Sequence, residues 1–264
     1  MMAILAQSLI ESYMRSPLFS LKQDLHHRQL LYWQQREQIA VYENDHYRWL
    51  TIGQTVQSVM ARNKPSCPVL PHLHAMAMAL FAAPNAKMIM ELGLGGGALA
   101  RLLPKTHPQA RLTSVELSPT VIDCFRRFFN PEACVSQVIQ ADGCKQIVKT
   151  TNLELLFVDI FQSSQLPPAM EQPEFYRHCL NALNHNGVLC LNLLPQNALL
   201  VRNLKQLLLQ LTGHPPWVFR VPGYRNAILV AGKKPLGTIT EQAKNLKRFA
   251  QRHHLDLSLI EPVL

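Results

Sequence analysis

The sequence predicts an α/β fold in which helices cover both faces of a mostly parallel sheet. From about Lys87 to about Gly232, short apolar runs alternate with amphipathic segments. A glycine-rich turn joins the first of these runs to a helix, and two adjacent apolar runs close the segment. This alternation is typical of buried parallel strands linked by helices. With 48% hydrophobic residues among 264, the chain can form a sizeable core without disulfides or metals.

Three regions are predicted along the chain. Residues 1–36 are expected to form a polar helical extension that contains two apolar clusters. Residues 37–64 are expected to form a small β domain, because apolar residues alternate on both sides of a polar Glu43-Asn44-Asp45 turn. Residues 65–264 are expected to form the main domain. It begins with a proline-rich loop and a short helix from His72 to Ala83.

Within the main domain, each apolar run predicts one strand. KMIMELG, RLTSVEL, SQVIQAD, LELLFVDI and GVLCLNLL predict parallel strands, and Ser118-Pro119 predicts the start of the helix after the second. WVFRVP and NAILVAG, separated by a turn at Gly223-Tyr224, predict an antiparallel pair. A closing hairpin is commoner in methyltransferase-like sheets than in dinucleotide-binding ones. The predicted fold class is therefore a class I S-adenosylmethionine-methyltransferase-like (Rossmann-like) sheet with a small N-terminal β-hairpin domain.

Bulk properties suggest a cytoplasmic protein. The six cysteines are scattered without a C-x-x-C pair or a zinc-ligand spacing, which indicates reduced thiols and no metal site. The first residues, MMAILAQSLIESYMRSP, lack a basic leading segment, and Glu11 interrupts their apolar run. No apolar run approaches the roughly 18 residues needed to span a bilayer. We therefore expect no signal peptide and no membrane segment.

The positive charge is concentrated outside the predicted site. The net charge is +9, and residues 196–264 carry ten Lys/Arg against three Asp/Glu, whereas residues 87–195 carry nine of each. A basic surface away from the site is more often a solubility feature than a nucleic-acid face. Specific nucleic-acid binding is therefore not expected.

The strand–glycine–helix unit MELGLGGGALARLL predicts a nucleotide or nucleoside site. Gly93, Gly95 and Gly97 allow the backbone to turn sharply and to pass close to a ligand. Glu116 ends the next strand, 23 residues after Gly93, where a carboxylate can bind both ribose hydroxyls. The glycine spacing also fits a dinucleotide fingerprint, so this loop alone leaves the ligand open.

Two further acids follow neighbouring strands. Asp142-Gly143 ends the third strand, where the carboxylate can accept the adenine amino group, although an ordinary Asp-Gly turn is an equal alternative. Asp159 ends the fourth strand. With Glu116, these acids point into the crevice where open α/β sheets bind ligands.

Taken in order, these elements resemble a known family. The chain from about Ile39 to about Lys234 resembles the spermidine synthases, the polyamine aminopropyltransferases, and especially their divergent bacterial relatives. The elements that carry the resemblance are Gly53 to Gln57, the glycine loop, Val115 to Leu117, Ala141-Asp142-Gly143, the strand ending at Asp159, and Pro173-Glu174-Phe175-Tyr176.

The resemblance implies both an activity and residue roles. The family transfers the aminopropyl group of decarboxylated S-adenosylmethionine to a diamine, releases methylthioadenosine, and is usually dimeric, so a homodimer and a small-molecule amine acceptor are expected. By the same resemblance, Gln57 would contact the ligand's tail, Glu116 the ribose and Asp142 the adenine. Asp159 would help to deprotonate the attacking amine, whose pKa near 10 makes it a poor nucleophile at neutral pH.

The departures from the family pattern concern the acceptor. Gly96 stands where spermidine synthases carry an acid in the glycine loop, and Gln162 stands where they carry a second acid after Asp159. His72 is what remains of a tyrosine–histidine–glutamate element, and Tyr224 is a further candidate at the substrate mouth. The sequence therefore predicts an intact nucleoside half and an unusual acceptor half, because a dication needs nearby carboxylates.

Two other interpretations remain open, and two more are disfavoured. A small-molecule methyltransferase would use S-adenosylmethionine itself, which fits the loss of the acid at Gly96. A non-catalytic nucleoside-binding protein would not need Asp159. A dehydrogenase that uses NAD is disfavoured by Asp142 and by the closing hairpin. A metal site at His72 and His74 is disfavoured because alternate residues do not share a helix face.

Overall fold

A computed structural model of the protein describes residues 25, 28–134, 136–161 and 166–263. Residues 29–61 form a four-stranded antiparallel sheet in which the strands lie side by side in the order of the sequence. Ile39, Val41, Trp49 and Leu50 are buried on it and join the core that it shares with the main domain. The strands are β1 (Gln29–Gln34), β2 (Ile39–Glu43), β3 (Tyr47–Ile52) and β4 (Thr55–Ala61).

Strand β1 corrects the predicted boundary of the helical extension. The sequence prediction placed residues 1–36 in a helix, but Gln29–Gln34 pair antiparallel with β2. Its Gln and Leu residues favour helix locally, and the pairing with β2 overrides that weak preference. The small sheet thus begins at β1, ahead of the predicted start at residue 37. Of the rest of the predicted extension, residues 1–24, 26 and 27 lie outside the described residues.

The main sheet has eight strands in the order β12-β10-β11-β9-β8-β5-β6-β7. Strands β5 to β9 pair in parallel, and β9, β11, β10 and β12 pair antiparallel, which confirms the predicted parallel sheet and closing hairpin. The strands are β5 (Met88–Leu92), β6 (Arg111–Glu116), β7 (Ser136–Gln140), β8 (Leu153–Val158), β9 (Leu183–Leu193), β10 (Trp217–Arg220), β11 (Ala227–Gly232) and β12 (Glu261–Pro262).

Helices lie between these strands and bury apolar clusters on the two faces of the sheet. Ser118 caps α4 as predicted, since its Oγ accepts a hydrogen bond from the Val121 N–H. A π-helical turn, Phe125–Phe129, continues α4. Among the described helices, none is long and apolar enough to cross a membrane. The helices are α1 (Pro71–Met76), α2 (Met78–Ala82), α3 (Ala98–Thr106), α4 (Pro119–Cys124), α5 (Gly143–Gln146), α6 (Pro173–Ala182), α7 (Ala198–Thr212) and α8 (Ile239–Arg252).

The strand order places a crevice at one edge of the main sheet. Strand β5 has β6 and β7 on one side and β8 and β9 on the other, so the direction of the connections reverses at β5. Open α/β sheets bind ligands beyond the carboxyl ends of the strands at such a reversal. The small sheet reaches this edge as well, because Ser58 of β4 accepts a hydrogen bond from the Gly96 N–H at 2.7 Å.

Candidate active site

The glycine loop is held tightly against the carboxyl ends of three strands. Gly93 donates its N–H to the Val115 carbonyl, and Asp159 donates its N–H to the Leu92 carbonyl, both at 2.8 Å. A methyl group placed on Gly93 would lie 2.1 Å from the Asp159 carbonyl oxygen, and the φ of Gly93 is +95°. Glycine is required there because the loop and the segment after β8 approach too closely for any side chain.

Glu116 fixes the loop from the neighbouring strand. Its Oε2 accepts hydrogen bonds from the N–H groups of Leu94 at 3.2 Å and Gly95 at 3.4 Å, and its Oε1 accepts one from the Ser118 N–H at 3.0 Å. The carboxylate is therefore oriented by the backbone before any ligand binds. It faces the larger of two adjoining cavities, which has a volume of about 770 Å³.

The larger cavity brings together most of the residues predicted to bind a nucleoside. Its volume lies within the range typical of small-molecule sites, and Val115, Leu117 and Ile160 add apolar surface to its polar wall. Gly97 forms the start of α3 and does not line it. The predicted residues in the wall are Gln57, Gly93, Gly95, Glu116, Asp142, Gly143 and Asp159.

Asp142 has a structural role in addition to its place in the cavity wall. Its Oδ1 accepts hydrogen bonds from the N–H groups of Cys144 at 2.8 Å and Lys145 at 3.4 Å, so it caps helix α5. The Asp-Gly pair is thus a strand-to-helix junction, which differs from the ordinary turn considered above. These hydrogen bonds fix the orientation of the Asp142 carboxylate in the cavity wall.

A smaller cavity of about 260 Å³ adjoins the larger one at the glycine loop. Both cavities are lined by Gln57 and Asp159. His72 and Tyr224, the predicted acceptor residues, lie in the wall of the smaller cavity. Gln162, the third predicted acceptor residue, lies outside the described residues. The two cavities therefore meet at Asp159, which lies in the walls of both.

Two asparagines orient the Asp159 carboxylate, one by a direct hydrogen bond and the other by a hydrogen bond to the first. Asn192 of β9 donates from Nδ2 to Asp159 Oδ1 at 2.7 Å, and Asn226 donates from Nδ2 to Asn192 Oδ1 at 2.8 Å. Burial raises the pKa of Asp159, while His72 and the hydrogen bond from Asn192 oppose that shift. The closing hairpin therefore contributes to the site, since Asn226 immediately precedes β11. This pair of asparagines fixes the orientation of the carboxylate.

The two neighbouring histidines are neutral groups in the fold. Burial lowers the pKa of His72, with Asp159 opposing the shift, and burial lowers the pKa of His74 to about 4. His74 Nδ1 accepts a hydrogen bond from the Asp256 N–H at 3.1 Å, which requires the unprotonated ring nitrogen. Across the described part of the chain, no group of three His, Cys, Asp or Glu residues is placed to hold a metal ion.

Gly96 has no space for a side chain, because the small sheet fills that space. A Cβ atom on Gly96 would lie 2.7 Å from the Ser58 Cβ and 3.3 Å from the Phe129 ring. The Gly96 carbonyl also accepts a hydrogen bond from the buried Arg101 guanidinium, which binds the Pro65 carbonyl at 2.7 Å as well. An acidic side chain at this position could not be accommodated without a change at Ser58.

Glu91 was not predicted from the sequence as a site residue. It lies in β5, is 1% exposed, and lines the smaller cavity. Burial raises the pKa of Glu91 to about 8, and the hydrogen bond that Ser114 Oγ donates to Oε1 at 2.5 Å opposes the shift. An acid within the otherwise apolar run MIMEL was the available signal, because buried carboxyls are rare without a partner. Ser58, Asn192 and Asn226 were also missed, and their contacts carry no sequence signal.

Comparison with known proteins identifies the family. The model of the spermine/spermidine synthase domain matches residues 72–234, more than half of the chain. A polyamine aminopropyltransferase of Neisseria meningitidis (serogroup A, strain Z2491) is 34% identical over 160 residues, which cover 59% of this chain and 61% of that protein. The match thus spans less than two thirds of the relative's length.

Two solved structures share the fold. A probable spermidine synthase from Corynebacterium glutamicum superimposes with a TM-score of 0.71 at 19% identity, covering 85% of this chain and 86% of that one. Human methyltransferase-like protein 13, in complex with SAH, superimposes with a TM-score of 0.61 at 20% identity, covering 70% and 93%. These matches confirm the methyltransferase-like fold, and the extent of the family match shows that the chain belongs to the spermine/spermidine synthase family.

Proposed function

We propose that the protein transfers the aminopropyl group of decarboxylated S-adenosylmethionine to a small amine. The observation that carries this proposal is the position of Asp159. Its carboxyl lies in the walls of both cavities, beside the glycine loop, and is oriented by Asn192. A carboxylate at the junction of a nucleoside site and an acceptor site is suited to accept a proton from an attacking amine. The similarity to a polyamine aminopropyltransferase supports the same activity.

The larger cavity would hold the nucleoside. Glu116 would accept hydrogen bonds from the ribose hydroxyls, and the Asp142 oxygen that does not cap α5 would accept one from the adenine amino group. The sulfonium and the aminopropyl tail would extend past Gln57, which lines both cavities, into the smaller one. This arrangement would place the reacting carbon near Asp159, so alignment of nitrogen, carbon and sulfur supplies a large part of the rate enhancement.

The reaction forms one bond and breaks one. The amine nitrogen bonds to the carbon beside the sulfonium, the carbon–sulfur bond breaks, and its electron pair stays on sulfur as neutral methylthioadenosine. The nitrogen's proton passes to Asp159. Since burial raises the pKa of Asp159, the rate should rise with pH as this carboxyl loses its proton, and the acidic limb of the pH profile should lie above that of an exposed aspartate.

The first prediction concerns Asp159→Asn. We expect methylthioadenosine release from decarboxylated S-adenosylmethionine and an amine to fall about 100-fold or more, the typical contribution of a general base. Because the nucleoside contacts persist, the affinity for methylthioadenosine measured by calorimetry should stay nearly constant. Asp123→Asn is the matched control, since that exposed carboxylate pairs with Arg127 away from the cavities. Unchanged turnover in Asp159→Asn would exclude its role as a base.

Methyl transfer from S-adenosylmethionine is the second candidate, and the Ser58–Gly96 contact favours it. That contact removes the space for a loop acid that would bind the aminopropyl amine, and a structural neighbour binds SAH. Calorimetry with methylthioadenosine, S-adenosylhomocysteine and NAD separates the candidates. Preference for S-adenosylhomocysteine supports methyl transfer, tighter binding of NAD contradicts both, and nucleoside binding without turnover supports a non-catalytic protein.

A further inference from the structure

The smaller cavity contains few charges. Among the described residues that line it, the acids are Glu91 and Asp159, and none is Lys or Arg. His72 adds no positive charge near neutral pH, because burial lowers its pKa. The two carboxyls lie near each other in this wall, and the charge of Asp159 disfavours ionisation of Glu91. The described part of the wall therefore offers two carboxyl groups that could pair with ammonium groups.

Aminopropyl transfer already places two amines in this cavity. The aminopropyl tail of the co-substrate carries one ammonium group, and the acceptor contributes the amine that attacks. Ser58 fills the space beside Gly96 that an acidic side chain there would need, so Glu91 is the carboxyl that remains for the tail while Asp159 serves the attacking amine. Glu91 would then pair with the amine of the tail, and Asp159 with the attacking amine of the acceptor.

One part of the wall suits an apolar substituent. Leu70, Leu73, Val56 and Val59 line the smaller cavity, together with the neutral Tyr224. Leu70 and Leu73 are 7% and 6% exposed and join the main core cluster. A second ammonium on the acceptor would lose its hydration here, and the described lining residues offer no further carboxylate to pair with it, which is strongly unfavourable. A methyl group at the same place would instead gain from burial.

We propose that the acceptor is a monoamine with an apolar substituent, and that Glu91 binds the ammonium group of the aminopropyl tail. This inference rests on the proposed aminopropyl transfer. It assigns Glu91 a role in binding and excludes a diamine such as butane-1,4-diamine as the preferred acceptor.

The test uses a matched pair of acceptors with the whole protein. n-Pentylamine and butane-1,4-diamine have the same number of non-hydrogen atoms, and they differ in one terminal methyl or ammonium group. Methylthioadenosine release is measured with each at saturating decarboxylated S-adenosylmethionine. We expect kcat/KM to be at least tenfold higher for n-pentylamine. Equal or higher kcat/KM for the diamine overturns the inference and upholds aminopropyl transfer, whereas no release with either amine overturns both.

A pair of variants tests the charge argument separately. Leu73→Glu adds a carboxylate to the cavity wall, and Leu73→Gln adds an uncharged group of the same size. In Leu73→Glu, the ratio of kcat/KM for the diamine to kcat/KM for n-pentylamine should rise at least tenfold. In Leu73→Gln, n-pentylamine should remain the preferred acceptor. An equal shift in both variants overturns the argument from charge. The comparison of the two amines in the unmodified protein decides the inference even if Leu73→Glu fails to fold.

Discussion

Glu91 is a carboxyl group kept inside a strand, and its pKa has a measurable consequence for stability. The folded protein retains the Glu91 proton up to a pH of about 8, whereas an exposed glutamate loses it near 4.5. Between these values the folded state binds more protons than the unfolded state. The free energy of unfolding therefore falls as the pH rises from about 4.5 to about 8. Outside that pH range, the ionisation of Glu91 changes it little.

Replacement of Glu91 by glutamine should remove this pH dependence. Glutamine keeps the size and the acceptor oxygen for Ser114 but does not ionise. Relative to the unmodified protein, Glu91→Gln should gain stability as the pH rises, by roughly 3–4 kcal/mol between pH 5 and pH 8.5. Urea denaturation of the ligand-free proteins at both pH values measures the difference.

Glu154→Gln is the control for this experiment. Glu154 accepts hydrogen bonds from the N–H groups of Lys87 and Met88, which lower its pKa. The ionised Glu154 carboxylate therefore adds to the free energy of unfolding above the pKa of an unfolded glutamate. This contribution is lost as the pH falls through the lower pKa that Glu154 has in the folded protein. This variant should be less stable than the parent by a similar amount at pH 5 and pH 8.5. A pH-independent effect of Glu91→Gln would contradict the burial of an ionisable Glu91.

Individual site residues were predictable where they follow strands. Glu116, Asp142 and Asp159 all lie at the carboxyl edge of the sheet because each ends or follows a parallel strand, and strand ends can be inferred from hydrophobic runs. Ser58 and Asn226 could not be found in this way. Ser58 depends on how β4 sits against the glycine loop, and Asn226 depends on the pairing of β9 with β11. Such contacts between distant segments have no local pattern.

At the level of elements, the glycine loop is held from two sides. Strand β4 contributes Ser58, which accepts from the Gly96 N–H, and helix α3 contributes Arg101, which donates to the Gly96 carbonyl. Arg101 also donates to the Phe129 carbonyl at 2.8 Å, at the end of the π-helical turn. The loop position thus depends on the adjacent helix α3 and on two elements that are distant in sequence, β4 and the π-helical turn.

This arrangement predicts that substitutions at Ser58 and Gly96 are strongly coupled. Gly96→Asp alone should be destabilised by about 1–3 kcal/mol, because its Cβ would overlap the Ser58 side chain. Ser58→Gly removes that side chain, so the double variant should recover part of the lost stability. A double-mutant cycle from urea denaturation should give a coupling energy of about 1 kcal/mol or more.

The double variant also tests how the protein binds the aminopropyl tail of decarboxylated S-adenosylmethionine. With an acid at position 96 and space to hold it, the protein should bind decarboxylated S-adenosylmethionine more tightly, while its affinity for methylthioadenosine, which lacks the aminopropyl group, should change little. Ser58→Gly alone is the control for the lost hydroxyl. Additive effects of the two substitutions on stability would refute the steric overlap.

The strands of the main sheet were predictable as elements, and β1 was not. Apolar runs such as LELLFVDI are buried on both faces, so hydrophobicity identifies them. β1 lies at the edge of the small sheet, where Leu30 and Trp33 are 53% and 50% exposed. Its residues carry no clear alternation, and its pairing with β2 decides its structure. The two-residue strand β12 likewise exists only through its pairing with β10.

For the whole molecule, both sheets line the larger cavity, so a ligand there should stabilise them together. Leu50 of β3 and Gln57 of β4 line it from one side and Glu116 from the other. Glu37, between β1 and β2, also accepts hydrogen bonds from Ser118 and Thr120 at 2.5 Å each. These contacts link the small sheet to the start of helix α4.

Binding of methylthioadenosine should therefore raise the midpoint of a single unfolding transition that both sheets share. At a concentration about 100 times its dissociation constant, it should add roughly 2.7 kcal/mol to the free energy of unfolding. Trp49 in the small sheet and Trp217 in the main sheet are both buried and can report separately. The variants Trp217→Phe and Trp49→Phe, each combined with Trp33→Phe, leave one tryptophan as the fluorescent probe. A shift confined to the Trp217 signal would show that the small sheet does not take part in binding.

The contact between Ser58 and Gly96 also affects how such proteins can be recombined. The serine belongs to the small sheet and the glycine to the main domain, so the two positions are separated by 38 residues yet occupy one space. A chimera that joins this small sheet to the main domain of a relative with an acidic glycine loop would bring two side chains into that space. Segments exchanged between family members should therefore be compatible only when both positions come from the same parent.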